Sequence, residues 1–579
     1  MYIVSVPNRN SPPAVLLRET YRKDGKVKNR TLANLSSLPS DQIEMIRRIL
    51  KGEKLLPVEE QFEVISSRHH GHIQAVAIAM KQLGFESLLA TRTSRERNII
   101  VAMVAARILE PDSKLATTRW WNATTLPEIF NVKDADENDL YAAMDWLLTK
   151  QSNIEKKLAS RHLKKNGQVL YDLTSSYFEG SSCPLAALGH NRDGKKGKLQ
   201  VNYGLLTDAR GCPVSVSVFK GNTADPNTLL PQVNKLRGDF GIKRIVLVGD
   251  RGMISQKQID SIKEFEGMDW ITALRSESIR NLVESGSIQM GLFDERNLFE
   301  LTHPDYPGER LVACRNIDLG RLRANKRESL LTSTINELNK VSSMVERGTL
   351  KGKDNIGIRV GKVVNKYKVA KHFILNIEEK HFDFRIDKVK VASEAALDGI
   401  YILRTSIPKE RLSTEDTVRS YKNLSQVERA FRSFKSIDLK VRPIYHWLSD
   451  RVKAHIFLCM LAYYVEWHMR EALRPMLFCD EDQEAKKSRD PIAPAKRSKK
   501  ALEKISSKLL EDGSEVHSFQ TLLKMQSTIV CNTCRIPSAS QDGSTFEVIT
   551  TPSAKQQQVY DLLKSISLAA TGRNVVRTK

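Results

Sequence analysis

The spacing of apolar positions changes character several times along the chain. In AVLLRETYRKDGKVKNRTLANL (14–35) apolar and polar residues alternate on both sides of Asp24-Gly25. This spacing predicts a β-hairpin, with a short helix from Ser40 after it. Over 70–165 the period lengthens to that of helices, at Gln74–Leu83, Ser94–Leu109 and Asn138–Lys156, joined by polar or Pro-containing links. From 167 short apolar runs return. GQVLYDLTSS (167–176) ends in polar residues just after an acid. LQVNYGLLTD (199–208) and PVSVSVFKGN (213–222) flank the turn Asp208–Gly211. A helix is predicted over Asn227–Phe240, then the apolar run IVLVGDRGM (245–253), a helix from Ser255 and the strand DWITALR (269–275). Three strands, helix, strand, helix, strand is the order of a mixed α/β sheet.

A different texture interrupts over 280–410. A helix around Arg327–Val345 precedes the alternating segments NIGIRVGKVV, KVAKHFILNIEE and HFDFRIDKVKV, which predict a mostly antiparallel, strand-rich insertion. YKNLSQVERAFRSFKS (421–436) has no Pro or Gly and reads as one helix, followed by an apolar helix in His446–Leu473. The Lys/Arg-rich AKKSRDPIAPAKRSKKALEK (485–504) predicts an exposed, mobile stretch before a small terminal segment. The resulting division is 1–65, strand hairpin and helix; 66–165, helical; 166–280, first part of an α/β core; 281–410, strand-rich insertion; 411–475, core helices; and 476–579, a basic linker and C-terminal segment.

At 579 residues the chain exceeds one core and is sized for about three or four domains. Charge changes the picture most. With 91 Lys+Arg against 68 Asp+Glu the net charge is +23, which favours a polyanionic partner, most simply nucleic acid. No stretch reads as a signal peptide or membrane span. IFLCMLAYYVEW (456–467) is too short, ends in charge, and predicts a buried helix. The seven scattered cysteines fit a reducing compartment without a disulfide framework. Cys531-Asn-Thr-Cys534, with His517 the one conceivable further ligand, reads as buried strand cysteines in preference to a zinc site. Trp120, Trp121 and Trp270 read as core residues.

Asp172 and Asp250 each close an apolar run. Alone, either acid serves as a turn or helix cap. On neighbouring strands they would emerge together and repel unless a cation lay between them. Oxygen ligands of this kind select Mg²⁺ or Mn²⁺ over zinc. A third carboxylate would complete a two-metal site for in-line displacement at a phosphodiester. Glu428 is the candidate. At about 100° per residue it shares a narrow helical arc with Tyr421, Arg432 and Lys435, beside an apolar stripe of Leu424, Val427, Phe431 and Phe434. The alternative is a surface Glu428–Arg432 pair. The basic loop HNRDGKKGK (190–198), with Arg192, Lys195, Lys196 and Lys198, and Arg251 beside Asp250 are either phosphate contacts or ordinary solvated and paired charges.

This order of strands and acids resembles the ribonuclease-H-like catalytic core of DDE transposases. Tyr421-x2-Leu424-x3-Glu428-x6-Lys435 is similar to the Y-(2)-R-(3)-E-(6)-K signature of one superfamily of bacterial insertion-sequence transposases. Leu424 stands where that pattern has arginine, with Arg419, Lys422 and Arg429 nearby. GHNRDGKKGKLQVNYGLLTD, FKGNTADPNT, DRGM and the long insertion also match, so the likeness covers roughly 70–475. The resemblance implies a catalytic triad of Asp172, Asp250 and Glu428 that binds metal, two ions per site, Mg²⁺ with Mn²⁺ substituting. It further implies cleavage of double-stranded DNA at an element's terminal inverted repeats, then attack of the freed 3′-hydroxyl on target DNA, by a cut-and-paste route. Tyr421 and Lys435 would touch the backbone near the scissile phosphate, with Arg432, Arg251, Arg192, Lys195, Lys196 and Lys198 as further DNA contacts. Region 66–165 would bind the element's ends. The implied assembly is a homodimer or higher synaptic complex in the bacterial cytoplasm, at the nucleoid, away from membranes. The rival readings are a structure-directed nuclease on the same core and an inactive, transposase-derived DNA-binding protein.

Overall fold

The computed structural model describes every residue except 10, 54–61, 181, 290–292, 295–296, 481–489, 494–496, 537–544 and 568–579. The chain divides into two compact units, Met1–Arg68 with Val530–Thr550, and His69–Ile529 with Thr551–Lys579.

In the first unit, β1 (Tyr2–Val6), β2 (Ala14–Lys23) and β3 (Lys26–Asn34) form an antiparallel sheet, and the amphipathic α1 (Ser40–Leu50) follows. Asp24 and Gly25 both have positive φ, 55° and 76°, as a two-residue hairpin turn requires. β4 (Glu63–His69), β15 (Val530–Arg535) and β16 (Thr545–Ile549) make a second small sheet in the order β16-β15-β4, with Cys531 and Cys534 buried in β15.

The second unit opens with helices: α2 (Gly71–Gln82), α3 (Phe85–Leu89), α4 (Arg95–Leu109), α5 (Lys114–Trp121), α6 (Leu126–Ile129) and α7 (Glu137–His162). Local chemistry sets their starts. Ser94 accepts from the Arg97 amide, and Asp136 with Asp139 forms a reciprocal capping box. α4 is buried almost all round because α7 and α16 (Ser449–Ala472) pack against it. α16 is itself buried continuously from Ala454 to Met469. No helix among the described residues is long and apolar enough to cross a membrane.

The central sheet has eight strands in the order β10-β11-β14-β9-β8-β5-β6-β7. β5 (Gln168–Tyr177), β6 (Gln200–Asp208) and β7 (Pro213–Lys220) form an antiparallel meander. After α8 (Leu229–Asn234), β8 (Ile245–Val248) runs parallel to β5, and after α9 (Gln256–Lys263), β9 (Met268–Ala273) runs parallel to β8. Alternation divides the core between the two faces. Val169, Tyr171, Ile245 and Leu247 pack with Leu229 and Ile259 on one side. Leu170, Val246 and Val248 join the core of α4, α7 and α16 on the other. Trp121 and Trp270 are core residues as expected, and Trp120 is half-buried against the same core.

The intervening segment departs from its expected form. α10 (Ser276–Glu284) leads to β10 (Leu298–Leu301) and β11 (Arg310–Arg315). Two helices follow, α11 (Ile317–Glu346) and α12 (Lys353–Tyr367), then the hairpin β12 (Phe373–Ile377) and β13 (Phe382–Ile386), α13 (Lys388–Ala395) and β14 (Ile400–Thr405). NIGIRVGKVV lies inside α12, so its alternation does not mark a strand. Ile356, Val360, Val363 and Val364, at i, i+4, i+7 and i+8, pack on Leu338, Val341 and Val345 of α11, while Ile358 is exposed. In the last alternating segment only Phe382–Ile386 is strand, because Asp387 caps a helix by accepting from the Lys390 amide. β10, β11 and β14 extend the central sheet.

Tyr421–Ser436 is likewise not one helix. α14 (Thr414–Lys422) ends at a turn on Asn423, α15 (Leu424–Arg432) restarts, and Ser433–Ile437 widens into a π-helical turn. Tyr421 therefore belongs to a different helix from Glu428. The C-terminal helices are α17 (Lys499–Ser507), α18 (Phe519–Ser527) and α19 (Ala554–Lys564). Of the basic stretch 485–504, residues 485–489 and 494–496 lie outside the described residues. Ile492 is buried beside Val312 and Leu403, and Lys499–Lys504 open α17, so the described part is not simply exposed linker.

One buried cation makes stability depend on pH. Lys114 is 6% exposed, and its Nζ lies 3.2 Å from His446 Nε2 and 3.3 Å from His455 Nδ1. Burial first, and the charge of Arg107 second, push its pKa down to about 7. The unfolded chain, with a lysine pKa of about 10.4, binds more protons above pH 7 than the folded one, so this residue's cost shrinks as pH rises. Lys114→Met is expected to be more stable than wild type at pH 7, with the gap narrowing by up to about 1.4 kcal/mol per pH unit towards pH 9. Urea unfolding of both proteins at the two pH values checks this. A gap that widens with pH would refute it.

Candidate active site

β5 and β8 place the two aspartates. Their parallel pairing runs Gln168↔Val246, Val169↔Leu247 and Leu170↔Val248. Extending that register by two residues sets Asp172 beside Asp250. Asp172 is in the middle of β5, not at its end, because β5 continues against β6 as far as Tyr177↔Gln200 after its pairing with β8 has stopped. Both acids thus lie where the two strands part. By alternation Asp172 shares the face of Leu170, and α15 packs there through Val427, Ala430 and Phe431, all buried. Glu428, between those apolar positions, is exposed at the edge of the same helix.

The result is a cleft of ≈ 440 Å³ whose lining includes Asp172, Asp250, Glu428, Arg192, Arg432 and Lys435. Asp193, Asp225 and Arg442 also line it, and sequence reasoning did not single them out. Asp193 sits inside the basic loop, where one acid reads as part of a turn, and Asp225 precedes a proline, where it reads as a cap.

Ion pairs sort these charges into two groups. Arg192 is held by both oxygens of Asp225, at 2.5 and 2.6 Å. The Asp193 carboxylate, 2% exposed, receives Lys435 Nζ at 2.8 Å, an Arg442 guanidinium at 2.5 Å and the Tyr177 amide at 3.0 Å. Three acids have no such cation. Asp172 Oδ1 accepts only the Leu173 amide at 2.8 Å, and Asp250 Oδ1 accepts the Gly252 and Met253 amides at 3.0 and 2.8 Å. Among the described residues Glu428 forms neither a hydrogen bond nor an ion pair, so the Glu428–Arg432 pair does not form. Burial pushes the Asp172 carboxyl up to about 7, and the charges of Asp250 and Glu428 add to this against the Leu173 amide and Arg192. Tyr421 is close enough to respond: burial first, then the charges of Asp250, Asp172 and Glu428, push its phenol up to about 12.

The remaining sequence candidates lie outside this lining. Lys195 sits over the Tyr177 ring at 5.9 Å, Lys198 pairs with Glu179 at 2.9 Å, and Lys196 and Arg251 are exposed. Leu424 packs half-buried on the core. The nearby cations are engaged elsewhere: Arg419 pairs with Asp416 and Lys422 donates to the Ile492 carbonyl, while Arg429 is not part of the cleft lining.

The donor chemistry fits a hard divalent cation. Three carboxylates face one cleft, none is neutralised by a lysine or arginine, and one is driven towards protonation by burial and like charge.

Residues 168–465 match the transposase DDE domain family, and residues 3–57 match the N-terminal domain of IS1634 family transposases. Among solved structures, the cryo-EM structure of the piggyBac transposase synaptic complex with hairpin DNA is a distant likeness. It has 8% identity and a TM-score of 0.36, and covers 78% of this chain and 77% of that chain. No curated protein matches the chain. With the transposase DDE domain spanning more than half its length, the chain belongs to the DDE transposases of insertion sequences, enzymes that cleave DNA and join it by strand transfer.

Proposed function

We propose that Asp172, Asp250 and Glu428 are the catalytic triad of this transposase, carried on a ribonuclease-H-like core formed by β5–β9 and α15. The observation that carries the assignment is the common register of the two aspartates on adjacent parallel strands, with a third carboxylate across the cleft and a cation pairing none of them. These residues would hold Mg²⁺, two ions per site with Mn²⁺ substituting. When bound, the metal lowers the pKa of the attacking hydroxyl and stabilises charge on the phosphodiester.

The chain's own residues supply the positioning. Asp193 takes up one of the two charges of Lys435 and Arg442, leaving a single net positive charge beside the triad for a phosphate. Arg432, at the end of α15, is exposed on the rim and continues that track, and Arg192 is fixed by Asp225 on the facing loop. Tyr421, Arg251, Lys195, Lys196 and Lys198 extend the contacts to DNA further out. Region 66–165 would bind the element's ends. Two ends joined in one event call for a homodimer or higher synapse on double-stranded DNA, in the bacterial cytoplasm at the nucleoid, with cut-and-paste as the route.

The test is an assay of cleavage and joining on DNA that carries the element's terminal repeats, with a separate target. With Mg²⁺ or Mn²⁺ the expected products are free 3′-hydroxyl ends and target joints. Chelation abolishes both, and added metal restores them. Cleavage that is never followed by joining would favour the structure-directed nuclease.

A further inference from the structure

We propose that His162, Cys212 and His468 bind one structural zinc ion in the core of the larger unit. His162 ends α7, Cys212 precedes β7 and His468 lies in α16. Their donor atoms all fall within 4.8 Å of one another, and the residues are 5%, 0% and 6% exposed. Among the described residues this is the one convergence of histidine, cysteine and carboxylate groups at such spacing. The donor set, two imidazoles and a thiol, is that of zinc and unlike the all-oxygen cleft. Cys212 Sγ lies 3.9 Å from His468 Nε2. Zinc bonds of about 2.3 Å to sulfur and about 2.0–2.1 Å to nitrogen place two tetrahedral ligands about 3.6 Å apart, so this pair needs little adjustment.

A second observation points to a missing ligand. His162 Nε2 is 3.1 Å from the Tyr464 hydroxyl, yet its Nδ1 is buried without a hydrogen-bond partner. An orphaned buried polar atom of this kind costs about 1–3 kcal/mol. A metal at Nδ1 would satisfy it, with Tyr464 on the far nitrogen fixing the ring, as partners of metal-bound histidines do. The Cys212 amide donates to Asp208 at 3.0 Å, which anchors the turn that presents the thiol. On binding, the S–H bond breaks, sulfur bonds to zinc and the proton leaves to solvent. A water would complete the coordination. The ion would tie the end of α7 and the start of β7 to α16.

The experiment uses the full chain purified without chelators. Elemental analysis is expected to give one zinc per chain, and the zinc-edge X-ray absorption spectrum one sulfur and two imidazole ligands. Cobalt(II) added to the metal-free chain is expected to show a thiolate charge-transfer band and tetrahedral visible bands, displaced by zinc. These bands vanish in Cys212→Ala and persist in a Cys531→Ala/Cys534→Ala double variant. Tyr464→Phe weakens cobalt binding about 10–100-fold. A folded chain without retained zinc or a cobalt–thiolate band overturns the proposal, as does a spectrum with no sulfur or more than one. The wild-type spectra decide the matter even if Cys212→Ala fails to fold, and none of these readouts depends on transposition.

Discussion

Asp172→Asn, Asp250→Asn and Glu428→Gln should each lower DNA cleavage and strand transfer by about a thousandfold or more, a barrier increase of about 4 kcal/mol. DNA binding should change by no more than a few-fold, because none of the three acids attracts a phosphate. Amides keep shape and hydrogen-bonding capacity while removing the charge a divalent cation requires. They also separate catalysis from scaffolding. Asn at 250 still offers an oxygen to the Gly252 and Met253 amides, so the turn after β8 survives. Glu428 has no partner to lose. At Asp172 the charge is opposed by burial and by two neighbouring acids, so its removal should leave metal-free stability unchanged or raised. Strand-transfer rates, filter or gel-shift binding and thermal melting of the three variants test this together. Variants that melt earlier but cut at the wild-type rate would return the acids to the role of structural caps.

Much of this candidate site was legible because local patterns place the residues that line its cleft. The apolar runs around Asp172 and Asp250 set the strands, and the helical stripe Val427, Phe431 and Phe434 left Glu428 at an edge. What was not legible depends on long-range pairing. Asp172 looked like a strand terminus because the polar residues after it, Thr174–Ser176, conceal a strand that continues only because β6 pairs with it. The charges of Lys435 and Arg192 looked free because their partners, Asp193 and Asp225, lie 242 and 33 residues away in sequence. Period alone also misread α12, where valines at 360, 363 and 364 suit strand propensity and glycines at 357 and 361 disfavour a helix, while the buried positions follow a helix. The His162, Cys212 and His468 cluster left no local trace, since three elements distant in sequence supply one residue each.

Arg470→Met is expected to destabilise the protein by about 3–5 kcal/mol, the cost of breaking a buried ion pair. Arg470 Nε meets Glu466 at 2.6 Å and its Nη2 meets Asp438 at 2.8 Å, and its guanidinium lies 4.3 Å from the Phe519 ring centroid. Glu466 is fully buried and Asp438 is 5% exposed, so removing the arginine strands two carboxylates without a cation. The damage should reach the candidate active site. Ser433, whose hydroxyl donates to Glu466, begins the π-helical turn that carries Lys435, and its carbonyl accepts the Leu439 amide at 3.0 Å to close that turn. The sign of the pH dependence follows from Glu466. Burial raises its pKa to about 7 despite Arg470, which lowers it. Because the folded form binds the proton more tightly than the unfolded one, this residue's contribution to stability falls as pH rises between the two values. Without Arg470 the folded pKa moves higher and the fall continues further. The deficit of Arg470→Met relative to wild type should therefore widen from pH 6 to pH 8. Adding Glu466→Gln to the variant removes one of the two stranded charges and should recover about 1 kcal/mol or more at pH 8. Chemical unfolding of the three proteins at both pH values measures each difference. A deficit that is small and independent of pH would show that the buried pair is neutralised by other means, and that the turn bearing Lys435 does not depend on it.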